Sequence, residues 1–400
     1  MSRFLMFEDL NPVPEFPPQG AINQGDGKFT WRIWAPKVEG LKLIASPDDS
    51  PRELPLAPAE NGYYVCELPV EEAPEGMRYA YRFPDGRTLP DPFSRWQPET
   101  VHKASAVVHT NNFQWTDSNW RGVERQQLVI YELHIGTFTP EGTFDAAIAR
   151  LDQLADLGVT ALEIMPIAQF PGERNWGYDG VFPYAAQNSY GGPQGFARLV
   201  DAAHGKGLAV LLDVVYNHLG PEGNYLGEFG PYFTDKYHTP WGKALNYDGR
   251  DSEPVRRFAI DNALMWIKEF HIDGLRMDAC QFILDEGSEH ILAELQRCVQ
   301  TVAANLGRRV IVIGETDQND PKLTNSADRG GFGLDGVWSD CFHHAVHCHL
   351  TGEHDGWYAD FGQPEHVAKA FSETFCHDGG WSKYRKRRHG KRLPICDRSP

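Results

Sequence analysis

The stretch LVIYELHIGTFTPEGTFDAAIARLDQLADLGVTALEIMP, residues 128–166, decides the fold. Its first part, LVIYELHI (128–135), is short, apolar and rich in β-branched and aromatic residues, and it reads as a strand. TFDAAIARLDQLADLG (143–158) places apolar residues at helical spacing and ends on glycine, the usual helix stop. VTALEIMP (159–166) is a strand again. A strand, a helix and a second strand of this kind form one parallel crossover unit.

The same alternation repeats downstream. GFARLVDAAHGKG (195–207), VRRFAIDNALMWIKEFH (255–271) and HILAELQRCVQTVAANLG (290–307) read as helices. LAVLLDVVYNH (208–218), IDGLRMDA (272–279), RVIVIGET (309–316) and GVWSD (336–340) read as strands. Six alternations predict a parallel α/β sheet, either doubly wound or closed as a barrel. Upstream, FTWRIWAP (29–36), GLKLIA (40–45), GYYVCELP (62–69) and RYAYRFP (78–84) alternate apolar and polar residues between turn signals. That pattern predicts an antiparallel β-sandwich over 1–110, with PDPFSRWQP (90–98) as a stiff connection to a catalytic unit over 111–400.

Composition narrows the function classes. The 400 residues carry a net charge of −17, which disfavours nucleic acid and anionic membrane surfaces and suits a neutral substrate. Eleven Trp, 15 Tyr and 22 Phe argue against disorder. Seven cysteines, an odd number in a chain this long, read as reduced thiols of a cytoplasmic protein rather than a disulfide framework. The start MSRFLMFEDLNP does not read as a signal peptide, and no apolar run is long enough for a membrane span.

Polar residues gather at the predicted strand ends: His134, then Asp213 with Asn217 and His218, then Arg276 with Asp278, then Glu315. In a parallel barrel these ends share one face, where catalytic residues sit. Arg276 and Asp278 are two apart on one strand, so their side chains point the same way and the arginine can hold the carboxylate ionised. Two carboxylates on adjacent strand ends suit glycoside hydrolysis, one attacking and one donating a proton, at a retaining separation of roughly 5–6 Å. One such acid alone reads as a helix cap or a solvated loop residue; the set at successive strand ends reads as an active site.

The long segment 220–249 holds Tyr225, Tyr232, Phe233, Tyr237 and Trp241 and reads as a functional loop whose aromatic faces can pack on sugar rings, or as a self-packed loop core. RNWGYDGVFPYAAQNSYGGP (174–193) reads as a second rim loop, with Tyr178 and Asp179 facing the ligand. Cys341, His343, His347, Cys348 and His349 lie close together but lack zinc-site spacing, so no metal and no cofactor is expected. KYRKRRHGKR (383–392), with seven Lys or Arg, reads as a run that pairs with the acidic surface or is solvated, not as a nucleic-acid patch.

DVVYNH (213–218), GLRMDA (274–279) and GET (314–316) resemble three of the four signature stretches of the α-amylase superfamily of glycoside hydrolases. YELHIGTFTPEGTF (131–144), NWGYDGVFPYAAQNSYGGP (175–193), PYFTDKYHTPWGKALNYD (231–248), VWSDCFHH (337–344) and SKYRKRRHG (382–390) resemble the branch that acts in trehalose synthesis. The resemblance implies a (β/α)8-type barrel preceded by a non-catalytic immunoglobulin-like sandwich. It implies Asp278 as nucleophile and Glu315 as proton donor. Asp213, His218 and Arg276 would surround the scissile sugar, Tyr178 would lie beneath it, and Asp340, Phe342, His343 and His344 would line the cleft. The implied reaction is hydrolysis of the α-1,4 bond beside the terminal trehalose of malto-oligosyltrehalose. Glucan branching is the neighbouring alternative.

The sequence departs from that family in three places. Gln281 stands where the family has histidine, and Cys341 where it has a second aspartate. The fourth signature, an Asn-His-Asp supplying a third carboxylate, occurs nowhere in the 400 residues. Strands seven and eight and a C-terminal β domain are also expected to be missing, which suggests a fragment or frameshifted product, inactive or a non-catalytic remnant.

Overall fold

The computed structural model describes residues 16–46 and 50–391. Nine short antiparallel strands come first: β1 (Gly20–Asn23), β2 (Lys28–Trp34), β3 (Lys42–Ser46), β4 (Arg52–Pro55), β5 (Ala57–Pro58), β6 (Tyr63–Pro69), β7 (Arg78–Arg82), β8 (Thr88–Leu89) and β9 (Ser105–Ala106). They form two sheets, ordered β1-β2-β6-β5 and β4-β3-β7-β8, with β9 also on β7. Alternate residues of β2 and β7, among them Phe29, Trp31, Ile33, Tyr79 and Tyr81, are buried between them.

The parallel sheet contains β10 (Ile130–Leu133), β11 (Ala161–Ile164), β14 (Ala209–Val214), β17 (Gly274–Met277), β18 (Ile311–Thr316) and β19 (Gly336–Ser339), in that order. These are six strands of a (β/α)8-type barrel. Among the described residues no strand pairs with the outer edge of β10 or β19. Helices Gly192–Gly205, Glu253–Glu269 and Ile291–Leu306 cover the outer face. The sheet's two faces differ in chemistry. Leu162, Ile164, Val210, Leu212, Leu275 and Val312 join the main core with those helices. Ala161, Ala209, Leu211, Ile311 and Ile313 make a separate apolar cluster on the inner face.

The helix expected over 143–158 is broken. It forms Phe144–Ile148, capped by the Thr143 side chain, and Leu151–Asp156. Between them Arg150 N–H donates to Ala147 O at 2.9 Å, a tightened i→i+3 turn that interrupts the α pattern. Two segments read as loops contain strands. β12 (Ala168–Gln169) pairs with β13 (Phe182–Ala186), and β15 (Phe233–Thr239) pairs with β16 (Gly242–Leu245). Neither shows the alternation of a half-buried strand: β13 is wholly buried and β15 is mostly polar.

Among the described residues no strand of the sandwich pairs with the parallel sheet, yet one apolar core runs through both. The connection 90–98 is its wedge. Phe93 contacts the rings of Tyr184 and Phe258, each at 5.3 Å, and Trp34 meets Tyr232 at 5.2 Å. Arg95 grips Glu269 through two hydrogen bonds of 2.8 and 2.7 Å. Burying a phenyl ring of this kind stabilises by about 2–3 kcal/mol, so the sandwich is fastened to the barrel's flank. The basic run starts within a small hairpin of β20 (Trp381–Ser382) and β21 (Arg387–Arg388). There Arg385 pairs with Asp317 and Lys391 with Asp320, as its acidic-surface reading expected.

Candidate active site

The register of three neighbouring strands builds the centre. Asp213 on β14 lies level with Arg276 on β17, and Met277 lies level with Gly314 on β18, so Asp278 and Glu315 follow side by side. One guanidinium serves all three acids. Arg276 Nη1 donates to Asp213 Oδ1 at 3.1 Å and Oδ2 at 2.9 Å, and to Asp278 Oδ1 at 3.1 Å. Arg276 Nη2 lies 3.9 Å from Glu315 Oε2. Neighbouring strands are about 4.8 Å apart, so the Asp278 and Glu315 backbones stand one strand spacing from each other.

Burial pushes the Glu315 carboxyl up to about 7, against the pull of Arg276 and of the Ala279 N–H. That N–H donates to Glu315 Oε2 at 2.6 Å. It can do so because Ala279 adopts φ 43, the left-handed region, which costs a non-glycine residue about 1 kcal/mol or more. Burial likewise pushes Asp213 up, opposed by Arg276.

Tyr178 reaches the cluster from the loop after β11, its hydroxyl donating to Asp213 Oδ2 at 2.9 Å. Gly177 makes that approach possible. It has φ 103, and a Cβ there would stand 2.1 Å from Pro166 O. His218 Nε2 lies 3.0 Å from Tyr178 O, and its ring stacks under Trp241 at 4.2 Å. Asp340 and His344 sit together around a small cavity beyond β19, with His343 Nε2 3.2 Å from Asp340 Oδ1. Gln281 lines an adjacent cleft of about 300 Å3 with Tyr237, its Oε1 buried and bare.

Several expected site residues do other work. Asp179 is exposed and accepts from Asn175 Nδ2 at 2.8 Å within its own loop. Phe342 packs edge-on against Phe371 of helix Pro364–Glu373 at 4.8 Å. Of the long aromatic segment, Tyr232 is fully buried against the sandwich and Tyr225 bonds to His102. Trp241 stacks on His218, and Tyr237 lines the cleft with Gln281. His134 is held by Asn175 O and the Tyr190 hydroxyl. Of the residues weighed for zinc, only His343 belongs to a group that could hold a metal, with Asp340 and His344, whose ligand atoms lie within 4.8 Å of one another.

Two contributors were given no role in the sequence reading. Asn217 Nδ2 donates to Asp278 O at 2.8 Å and Oδ2 at 3.0 Å; its place beside His218 was the available signal. The Ala279 backbone had none, because an alanine gives no hint of a left-handed turn.

This barrel and its arginine-centred carboxylates define the class. Residues 89–241 match the alpha amylase catalytic domain. The chain is 48% identical over 368 residues to the malto-oligosyltrehalose trehalohydrolase of Saccharolobus solfataricus, covering 92% of this chain and 64% of that protein. It is 31% identical over 374 residues to the 1,4-alpha-glucan branching enzyme of Bacillus caldolyticus, covering 86% and 56%. A solved Salmonella typhimurium protein assigned as an alpha amylase superposes with a TM-score of 0.85 at 38% identity, covering 94% and 63%. The chain therefore spans less than two thirds of the length of these relatives. No helix of the described residues is long and apolar enough to cross a membrane.

Proposed function

We propose that this protein is a retaining glycoside hydrolase that cleaves the α-1,4 bond beside the terminal trehalose of malto-oligosyltrehalose. The observation that carries the reading is Arg276 holding Asp213, Asp278 and Glu315 on adjacent strand ends. Asp278 attacks the anomeric carbon, and the displaced oxygen takes the Glu315 proton. Glu315, now ionised, then takes a proton from water as that water releases the sugar from Asp278. Arg276 and Asn217 keep the Asp278 carboxylate turned toward the substrate. Tyr178 supplies a ring face for the sugar. Asp213, His218 and Gln281 bind its hydroxyls, and Asp340, His343 and His344 line the far side. Residues 1–110 form a non-catalytic, carbohydrate-associated sandwich beside the catalytic unit, and the protein is cytoplasmic.

The choice over glucan branching rests on the higher identity to the trehalohydrolase. The test is incubation of the purified protein with malto-oligosyltrehalose, with trehalose quantified and the anomeric configuration of the glucan product followed by NMR. Retained configuration and free trehalose support the reading. New α-1,6 linkages without trehalose would favour branching. Because Asn-His-Asp is absent from the 400 residues, a polypeptide of these residues alone is expected to be slow or silent. The assay is therefore run in parallel on a protein whose length matches the relatives.

A further inference from the structure

Below the catalytic layer lies an acid that the proposed mechanism does not use. Glu163 on β11 has no exposed surface, and neither of its carboxyl oxygens has a partner. The register sets it beside Leu211 on β14 and directly opposite Glu132 on β10. Asp213 is two residues above Leu211, so it stands one layer higher on the same inner face. The floor beneath is apolar, with Ala161, Ala209 and Ile311. Glu163 thus occupies the boundary between a greasy floor and the Asp213–Arg276 pair.

Charge counting shows what its state must be. The groups facing this position are Glu132 from β10, Asp213 from β14 and Arg276 from β17. Arg276 is already shared among three acids above. A bare carboxylate in such a place is far costlier than a neutral carboxyl. Burial, reinforced by Glu132 and opposed by Arg276, pushes Glu163 up to about 8.

We propose that Glu163 is a positioning residue, held as a neutral carboxyl beneath the Asp213–Arg276 pair so that the guanidinium stays committed to Asp213 and Asp278. This rests on the proposed hydrolase reading for its effect on turnover. Ionisation of Glu163 puts a second negative charge under Asp213 and draws Arg276 down, loosening its hold on Asp278. A neutral isostere preserves the arrangement at every pH.

The test compares the parent with Glu163→Gln in the full-length protein. Melting decides the charge state without any substrate. Glu163 has a raised folded-state value, so the parent loses stability as pH rises from about 4.5 to about 8, and the variant does not. The Tm gain of the variant over the parent is expected to grow by on the order of 5 °C between pH 5 and pH 8.5. Glu163→Met, which cannot titrate, should show the same trend even if its packing lowers Tm throughout. On malto-oligosyltrehalose, Glu163→Gln should keep kcat within about twofold of the parent at pH 6, and the ratio of variant to parent should rise as pH passes about 8, above the break set by Glu315. A pH-independent Tm difference in both variants overturns the proposal. So does a variant-to-parent kcat ratio that is the same at pH 6 and pH 8.5, or a Tm rise with added Ca2+ or K+ that Glu163→Gln abolishes, which would mean a bound cation. If neither protein releases trehalose, the functional reading fails while the melting series still decides the state of Glu163.

Discussion

Replacing Arg276 by Met removes the one cation from a site with three carboxylates. The side chain is 11% exposed, and those of Asp213 and Asp278 are 0% and 13% exposed, so water cannot take its place. Breaking a buried pair from one side typically costs about 3–5 kcal/mol, because the remaining charge is left unpaired. For 400 residues the unfolding entropy is about 0.8 kcal/mol per kelvin, so the expected drop in Tm at pH 7 is about 4–6 °C. The loss should shrink toward pH 5. Burial already pushes Asp213 up, and protonating it removes the unpaired charge. Arg276→Lys should fall between, since an ammonium cannot fork across Asp213 and Asp278 as the guanidinium does. The assay is a melting series of parent, Met and Lys variants from pH 5 to pH 8 by calorimetry. If the Met variant melts within about 1 °C of the parent at pH 7, or its deficit is the same at pH 5, the arginine is not what balances this cluster.

Three further outcomes are expected. His204 is buried between Asp117 and Asp273, each 2.8 Å away; burial pulls the imidazole down, but the two carboxylates outweigh it and hold it above its ordinary value. Its contribution is therefore present below pH 6.5 and lost as pH rises through the folded-state value, so His204→Gln should lower Tm most in acid and least above neutrality, with about 3 kcal/mol lost at pH 6. Gly177→Ala forces the loop off Pro166 O and should pull the Tyr178 hydroxyl from Asp213, cutting kcat at least tenfold while costing about 2 kcal/mol or more; activity equal to the parent's would contradict that placement. Glu315, pushed up to about 7, is protonated below that pH, so kcat/KM for trehalose release should fall as pH rises through about 7, and Glu315→Gln should abolish the break together with most of the rate.

What was legible in the sequence follows from periodicity. The six parallel strands appeared because each is a short, mostly apolar run between helical patterns, and several ends were marked by acids in otherwise greasy words such as LAVLLDVV and GLRMDA. The carboxylate cluster was legible for the same reason, since side chains two apart on a strand share a face and Arg276 and Asp278 do so. The β15–β16 hairpin was hidden because FTDKYHT buries neither face fully. The destinations of the aromatic residues were hidden too. Tyr232 and Trp241 lie nine residues apart in one segment, yet one is sealed against the sandwich by Trp34 and the other stacks on His218. Composition cannot divide them, because an aromatic ring suits a domain junction as well as a sugar. Phe342 was assigned to the cleft through its neighbours. On helix Asp340–Thr351 adjacent residues face about 100° apart, and its ring meets Phe371 instead.

The cluster's charge balance bears on the proposed reaction. With three carboxyl groups set around one guanidinium, the layer is acidic on balance. Glycosyl transfer develops positive charge at the anomeric carbon in its transition state. A fixed negative layer within a desolvated site stabilises that charge more than it stabilises the neutral sugar, which is the condition for a gain in rate rather than in affinity. A neutral Glu163 below adds no charge beneath that layer. Ionising it would add negative charge one layer away from the sugar, where it competes for Arg276 instead of facing the substrate. The position of the charge, set by the register of β11 against β14, therefore matters more than its amount.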